Sequence, residues 1–236
     1  MNAVVNAVRL HLNKRENFLL VPLYILGMVM VVTVVISFTL QRLGMDPSAP
    51  GFVEGSRMNA GIAWSLPGFI VYTGVQAVAT TFPFALALGT TRRAFVLGTA
   101  IANALMALYI TAVLALLLVL ELATGHWFFN LYLIDVNVLG AGHLGTLVLV
   151  AFLGLFGLLS VGGLFGAAWV AYGSRGPVAL GLGLGLLLAV GALVLAPQLP
   201  TLVAGITGAG LAVGGVAAIA VSLLGTWALM RRAAVR

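Results

Sequence analysis

Six long apolar stretches dominate this chain, and short polar segments separate them. Each stretch has about 20 or more residues with almost no charge, which is enough for a helix to cross roughly 30 Å of hydrocarbon. The pattern predicts an all-α integral membrane protein with six transmembrane helices. The stretches cover Phe18–Leu40, Ile62–Leu88, Ala94–Leu122, Leu144–Tyr172, Pro177–Ala196 and Leu202–Met230.

The basic residues of the polar segments fall mainly on alternate sides of the predicted membrane. One side has only Arg42 and Arg57, and the third and fifth segments have no Lys or Arg. Because cytoplasmic loops are enriched in Lys and Arg, both termini are predicted to be cytoplasmic. The basic residues assigned to that side are Arg9, Lys14, Arg15, Arg92, Arg93, Arg175, Arg231, Arg232 and Arg236.

Residues 1–17 precede the first stretch and have a helical period of their own. Polar residues recur on one face, and Val4, Val5, Val8 and Leu12 lie on another. This predicts an amphipathic helix in the cytoplasmic interface, followed by a six-span transmembrane domain over 18–236. A merely solvated arm is the alternative interpretation.

Two later segments depart from plain helices. Pro67 and Pro83 lie near the two ends of the second stretch and predict a kinked span. The segment 123–143 between the third and fourth stretches is rich in aromatic residues, which favour the headgroup level of a membrane. It is predicted to lie on or dip into the outer interface, and a plain aromatic belt at two helix ends is the alternative.

Glycines spaced four residues apart mark the last three stretches. Small residues at this spacing let helix backbones approach closely, so these positions predict helix packing. They are Gly162, Gly166, Gly181, Gly185, Gly210 and Gly214.

Composition narrows the classes of function. Of the residues, 62% are hydrophobic and 7% are charged, against about 25% charged in soluble domains. The formal charge of +6 lies on residues that flank the spans, so it indicates contact with membrane lipid rather than with nucleic acid. The chain has no cysteine, which excludes disulfides and thiolate metal sites. We expect a multi-pass protein of a cell membrane, and the excess of Arg over Lys is compatible with a bacterial source.

Several chemistries lack the residues that they need. The single lysine, Lys14, has no glycine-rich phosphate-binding loop, so we expect no ATP hydrolysis by this chain alone. His126, His143 and Asp135 are interpreted as unrelated loop residues, with a weak site formed by the three on the outer face as the alternative, and no metal is expected. No cofactor is expected in this chain.

The spans offer little to bind an ion or a proton. Ionisable residues are missing from the middle of every stretch, and Glu121 lies at an end where it is expected to reach water. The best polar markers of a translocation path are Tyr72, Gln76 and Asn103. Each of them is also a candidate for a simple hydrogen bond between helices.

The most specific local pattern is the short turn between the second and third stretches. Gly89 is placed to end one helix, and Thr90 or Thr91 to cap the next. Arg92 and Arg93 are then expected at the membrane face, beside the apolar ring of Phe95. Taken alone, the turn is a tight helical hairpin with a basic topology signal.

The segment Leu88-Gly-Thr-Thr-Arg-Arg-Ala-Phe95 resembles the coupling-helix region of the permease subunits of ATP-binding-cassette exporters, the type-two permease family. Six spans and an amphipathic arm also fit that family. The resemblance implies that a separate cytoplasmic ATPase, which holds ATP and Mg, binds this turn. It also implies that a second permease copy, or a related permease, completes the path. The family often has a large outer segment between spans five and six, whereas this chain has only about 197–201 there.

Two other classes of function stay open. The chain is alternatively a non-transporting anchor or assembly subunit of a larger membrane complex. A membrane-embedded enzyme that acts on lipid is a third class, but no acid–base pair or metal set supports it.

Overall fold

The structure is a computed structural model that describes residues 3–13, 16–198 and 207–233, with the backbone alone at Arg232. Within these ranges the regular structure is helical and contains no strand. The α-helices are α1 (Ala3–Leu12), α2 (Val21–Arg42), α3 (Pro50–Arg57), α4 (Gly61–Ser65), α5 (Pro67–Ala79), α6 (Thr81–Ala87), α7 (Arg92–Ala123), α8 (Leu144–Tyr172), α9 (Arg175–Leu195) and α10 (Gly208–Arg232).

Six helical segments of the described chain are long and apolar enough to cross a membrane. This confirms the all-helical class and the six predicted apolar spans, and it is the composition of a multi-pass membrane protein. The segments are Glu16–Arg42, Pro50–Ala87, Arg92–Ala123, Leu144–Tyr172, Arg175–Gln198 and Gly208–Arg231.

The second span is broken twice, as its prolines predicted. The breaks fall at Leu66, before Pro67 opens α5, and at Thr80, just before the short α6 that contains Pro83. Proline cannot donate a backbone hydrogen bond and disfavours helical geometry in the preceding residue, so the helix changes at these points.

The beginning of the predicted sixth stretch lies outside the described residues. The apolar stretch begins at Leu202, but residues 199–206 lie outside the described part of the chain, and α10 begins at Gly208. Thr207 caps this helix, because its hydroxyl accepts a hydrogen bond from the Gly210 N–H at 3.1 Å.

The chain divides into two compact units, which we describe separately. The first comprises Met1–His11, Val71–Asn103 and Phe156–Arg236, and the second comprises Leu12–Ile70 and Ala104–Leu155. The core of the first unit is a buried apolar cluster that joins the five helices α5, α6, α7, α8 and α10. Its members are Val78, Phe82, Ala85, Phe95, Val96, Ala167, Met230 and Ala233.

Helix α1 packs against α7 in the first unit. A Cβ at Gly98 would overlap the Ala7 methyl and lie 3.1 Å from the Val4 carbonyl oxygen, so glycine is what allows this approach. The His11 Nε2 atom lies 2.9 Å from the Thr99 hydroxyl, which fixes the end of α1 on α7. Lys14 and Arg15, counted in the charge pattern, lie outside the described residues.

The predicted glycine contacts form at two of the six positions. A Cβ at Gly162 would collide with the Val71 carbonyl of α5, and one at Gly166 would lie 2.6 Å from the Val75 carbonyl oxygen. Gly74 faces Gly162 in the same way, so α5 and α8 meet backbone to backbone. The four-residue glycine pattern did not identify Gly74, because no second glycine lies four residues from it.

The other four glycines make weaker contacts or none. A Cβ at Gly181 would lie 3.8 Å from the Phe165 ring, and one at Gly210 would meet only its own cap, Thr207. Among the described residues, no atom lies within 4 Å of a Cβ at Gly185 or Gly214. Toward the rest of the described chain these two helix faces are therefore open.

Candidate functional site

The turn between α6 and α7 is built by a glycine in the left-handed region. Gly89 has φ +80°, and its N–H donates to the Leu86 carbonyl at 2.9 Å. The Thr90 N–H donates to the Ala85 carbonyl at 3.0 Å. Together these bonds form a Schellman motif, which ends α6 and satisfies its last carbonyls. The prediction that Gly89 ends the second span is confirmed.

Thr91, rather than Thr90, caps the next helix. Its hydroxyl accepts a hydrogen bond from the Ala94 N–H at 3.3 Å, and its carbonyl accepts from the Phe95 N–H at 2.9 Å. Thr90 is half-buried in the turn, whereas Gly89 and Thr91 are exposed. Since both helix ends are satisfied within this short turn, its backbone is fixed by local bonds.

The two arginines of the turn have different roles. One guanidinium nitrogen of Arg92, Nη1, donates to the Met230 and Arg231 carbonyls at 3.1 and 2.9 Å. A cation that bonds the last carbonyls of a helix stabilises its C-terminus, so Arg92 ties the turn to the end of α10. Arg93 is exposed. Both arginines were expected at the membrane face, and the structure adds that Arg92 is half-buried and bonded to the end of α10.

Phe95 does not stand beside the arginines at the surface, which corrects the sequence prediction. Its side chain is 0% exposed, and its ring lies 5.1 Å from the Phe82 ring and 5.7 Å from the His11 ring between centroids. Phe95 is a core residue of the first unit and holds α7 on α6 and α1.

The exposed apolar residues of the turn are Phe84 and Leu88, which sequence reasoning missed. Phe84 is 55% exposed and Leu88 is 65% exposed, and they stand four residues apart. Phe82 and Ala85 of the same helix are buried. With Arg93 these two side chains form what we call the turn surface (Phe84, Leu88 and Arg93). The residues around Phe84 and Leu88 are also apolar, so the sequence does not indicate which side of α6 is exposed.

The three residues proposed for a translocation path do not share one accessible surface in the single chain. Tyr72 is exposed and Gln76 is half-buried, and both lie on α5. Asn103 is buried on α7. The Gln76 carbonyl accepts hydrogen bonds from the hydroxyls of Thr80 and Thr81 at 2.8 and 3.4 Å, beside the break in the second span.

Glu121 of the second unit is completely buried, which corrects the expectation that it reaches water. Its carboxylate accepts backbone N–H bonds from Leu133, Ile134 and Asp135 at 3.0, 2.7 and 3.2 Å. The Trp127 indole N–H adds a fourth bond at 3.2 Å. Four donors on one carboxylate compensate for its burial and anchor the segment that follows α7.

That segment folds as a compact loop rather than as two plain helix ends. His126, Trp127, Phe128 and Asn130 have positive φ angles, so the chain reverses sharply after α7. Leu133, Ile134 and other apolar side chains of the loop are buried. Phe128 and Phe129 are exposed, as expected for aromatic residues at a membrane interface.

A charged network closes the same loop. The buried Asp135 Oδ2 atom lies 2.7 Å from Arg57 Nη2 and 3.0 Å from His126 Nε2, so His126 and Asp135 are not the unrelated residues of the sequence interpretation. His143 stays apart, with its Nδ1 atom 3.1 Å from the Gly140 carbonyl oxygen. No group of three metal-binding side chains occurs in residues 3–13, 16–198 and 207–233.

Comparison with known proteins adds no assignment: no family model, curated protein or solved structure matches this chain.

Proposed function

We propose that this chain is the permease subunit of an ATP-driven exporter, coupled to a separate ATPase through the turn surface. The observation that carries the proposal is the construction of that turn. Phe84, Leu88 and Arg93 are exposed, while the backbone of the turn is closed by a Schellman motif and a helix cap. The resemblance of Leu88–Phe95 to the coupling region of exporter permeases gives the ATPase as the partner.

The side chains at the base of the turn support a mechanical role. Arg92 bonds the end of α10, and Phe95 is locked in a cluster that contains Phe82 and Met230. A displacement of the tip therefore moves α6, α7 and α10 together, because packed cores are not continuously deformable. A turn that was free to bend would absorb the displacement instead.

In this proposal the free energy for transport has to come from the partner ATPase. The chain has no phosphate-binding loop, and its one lysine stands outside any glycine-rich run. ATP and Mg belong to the ATPase, and ATP binding moves the permease only through contacts that differ between two states of the shared surface. In this proposal both termini and the turn lie at the cytoplasmic face, and a second permease copy, or a related permease, completes the path.

The test is isolation of the tagged full chain from native membranes, followed by assay of Mg-dependent ATP hydrolysis. We expect an ATPase to co-purify with the wild-type chain, and none of the activity to reside in the chain alone. Arg93→Glu and Leu88→Asp each place a negative charge in the proposed contact, opposite the partner carboxylates that would pair with Arg93. Each should release the ATPase or abolish its coupling, because like charges in a desolvated contact cost several kcal/mol of binding free energy. Arg175→Glu is the matched control, because it reverses an exposed arginine outside the turn.

Two outcomes would contradict this proposal. Co-purification of a stable complex without ATPase activity would favour the anchor or assembly subunit. Retention of full ATPase coupling by Arg93→Glu and Leu88→Asp, with insertion verified, would show that the turn surface is not the docking element.

A further inference from the structure

A cavity of about 380 Å³ lies in the second unit, between the C-terminal half of α2, helix α3 and the loop after α7. This volume lies within the range of small-molecule sites, roughly 300–1,000 Å³. Gly51 and Gly55 of α3 border the cavity, and among the described residues no atom lies within 4 Å of a Cβ built on either. The absence of side chains at these two glycines keeps the space open.

One part of the cavity wall carries hydroxyl groups that lack partners. The hydroxyls of Thr33 and Ser37, four residues apart on α2, make no hydrogen bond to the described residues, and neither does the Ser56 hydroxyl of α3. Hydroxyls in apolar helices usually bond to the carbonyl four residues before. Thr39, Thr80, Ser160 and Thr226 of this chain do so. The hydroxyls at the cavity are therefore available to a ligand.

The rest of the wall is mainly apolar, with Asn59 and Tyr132 as its other polar residues, and it carries no ionised side chain among the described residues. Ile36, Leu40 and Phe52 contribute the apolar surface. Tyr132 also lines the cavity, and its ring lies 5.4 Å from the Arg57 guanidinium carbon. Arg57 is paired with Asp135, so the nearest positive charge is already compensated.

We propose that this cavity binds a neutral amphiphile, a molecule with an uncharged, hydroxyl-bearing headgroup and an apolar chain. Unpaired hydroxyls recognise the headgroup through neutral hydrogen bonds, and the apolar wall accepts the beginning of the chain. An anionic headgroup finds no free cation in the described wall, so it is not the favoured ligand. The inference stands apart from the exporter proposal, because it requires binding and no ATPase.

The test uses photolabelling of the full chain in lipid nanodiscs. The probe is an alkyl glucoside that carries a diazirine in its chain, and a fatty acid with the same diazirine serves as the anionic comparison. We expect the glucoside to label peptides around 33–40 and 51–59. An excess of octyl glucoside should block this labelling, whereas the same concentration of glucose should not.

Two variants test whether the label reports the cavity. Gly55→Leu fills the space and should reduce labelling by 10-fold or more, while Gly68→Leu, at an equally open glycine away from the cavity, should not. Thr33→Val with Ser37→Ala keeps the space and should weaken binding by about 3- to 10-fold per hydroxyl. Thr39→Val is its control, since the Thr39 hydroxyl is bonded to Val35.

The proposal is overturned by any of three results. Undiminished labelling of Gly55→Leu would place the probe elsewhere. Equal labelling by the fatty acid would show that the chain alone is recognised. Competition by glucose as strong as by octyl glucoside would show that the headgroup binds without a chain.

Discussion

A buried carboxylate in an apolar chain needs several donors, and Glu121 obtains four. Three come from successive backbone N–H groups and one from the Trp127 indole. Charge-assisted bonds of this kind are stronger than neutral ones, and donors left without a buried acceptor cost free energy. The loop after α7 therefore depends on this one side chain more than on any of its exposed aromatic residues.

We predict that Glu121→Ala destabilises the loop by about 3 kcal/mol or more, because several buried donors lose their acceptor. Hydrogen exchange should accelerate at the Leu133, Ile134 and Asp135 amides, and the melting temperature in nanodiscs should fall. Glu54→Ala, at an exposed position of the same unit, should change neither. Equal protection of the three amides in wild type and Glu121→Ala would contradict the anchoring role.

Two phenylalanines of the α6–α7 region allow fold stability and the proposed docking of the ATPase to be tested separately. Phe95 is fully buried and Phe84 is 55% exposed. We predict that Phe95→Ala lowers the free energy of unfolding by about 3–5 kcal/mol, as for other buried aromatic truncations. Phe84→Ala should leave thermal unfolding nearly unchanged and reduce ATPase recovery. A stable Phe95→Ala chain would show that the core cluster contributes little.

At the level of single residues, the sequence predicted the α6–α7 turn well and the environments of buried side chains poorly. Gly89 and Thr91 follow from local rules, since a Schellman motif and a helix cap need only neighbouring residues. The environments of Glu121 and Phe95 depend on partners that are distant in the chain. The three backbone donors to Glu121 are 12–14 residues away, beyond non-glycine residues with positive φ, which sequence rules rarely anticipate.

Among the helices, α5 and α8 make a close contact that tolerates no side chain. Gly74 and Gly162 face each other there, and Gly166 meets the Val75 carbonyl. In a membrane the association of helices relies on such packing, because lipid removes most of the hydrophobic driving force. Backbone carbonyls, unlike flexible side chains, cannot move aside for an added methyl group.

We predict that Gly162→Ala destabilises the chain by about 1–3 kcal/mol, the range of overpacking in a dense contact. Gly185→Ala should be neutral or slightly stabilising, because its position is open and alanine favours a helix by up to about 1 kcal/mol. Thermal unfolding in one nanodisc preparation compares the two. A smaller loss of stability for Gly162→Ala than for Gly185→Ala would contradict the close contact between α5 and α8.

The open face of α10 leads to a different expectation. A Cβ at Gly214 meets no described atom, so Gly214→Leu should not disturb the single chain. If a second permease copy packs there, as the proposed function requires of some face, the larger side chain should reduce assembly. We predict an unchanged melting temperature with a smaller fraction of oligomer by native mass spectrometry. Unchanged oligomer and activity would show that this face contacts lipid.

Element boundaries illustrate what periodicity and breakers can specify. The fourth span was predicted as Leu144–Tyr172, and α8 has those bounds. Pro67 and Pro83 predicted the interrupted second span, because the effect of proline is local. The partners of each helix could not be read, since stretches that are apolar all round do not indicate which face is buried. Gly162 and Gly185 look alike in the sequence and have opposite environments.

For the whole molecule, charge distribution is the observation that bears on orientation. Six helices of the described chain are long enough to cross a membrane, and the basic residues assigned to one side outnumber those on the other by nine to two. Such an asymmetry sets orientation because Lys and Arg in short loops stay in the cytoplasm. It predicts that Ser174 and the α6–α7 turn share one side of the membrane, and that Asn137 lies on the other.

We predict that a single cysteine at Asn137 reacts with an impermeant maleimide added outside intact cells, and that one at Ser174 reacts only after permeabilisation. The chain has no native cysteine, so each signal comes from one position, and both residues are exposed. Ser174 also lies beside Arg175, the control of the docking experiment, so its label verifies insertion of that variant. If the cysteine at position 137 were labelled from the cytoplasmic side only, the true topology would be the inverse of the predicted one. It would also remove the turn surface from the reach of a cytoplasmic ATPase, and the exporter proposal would fail with it.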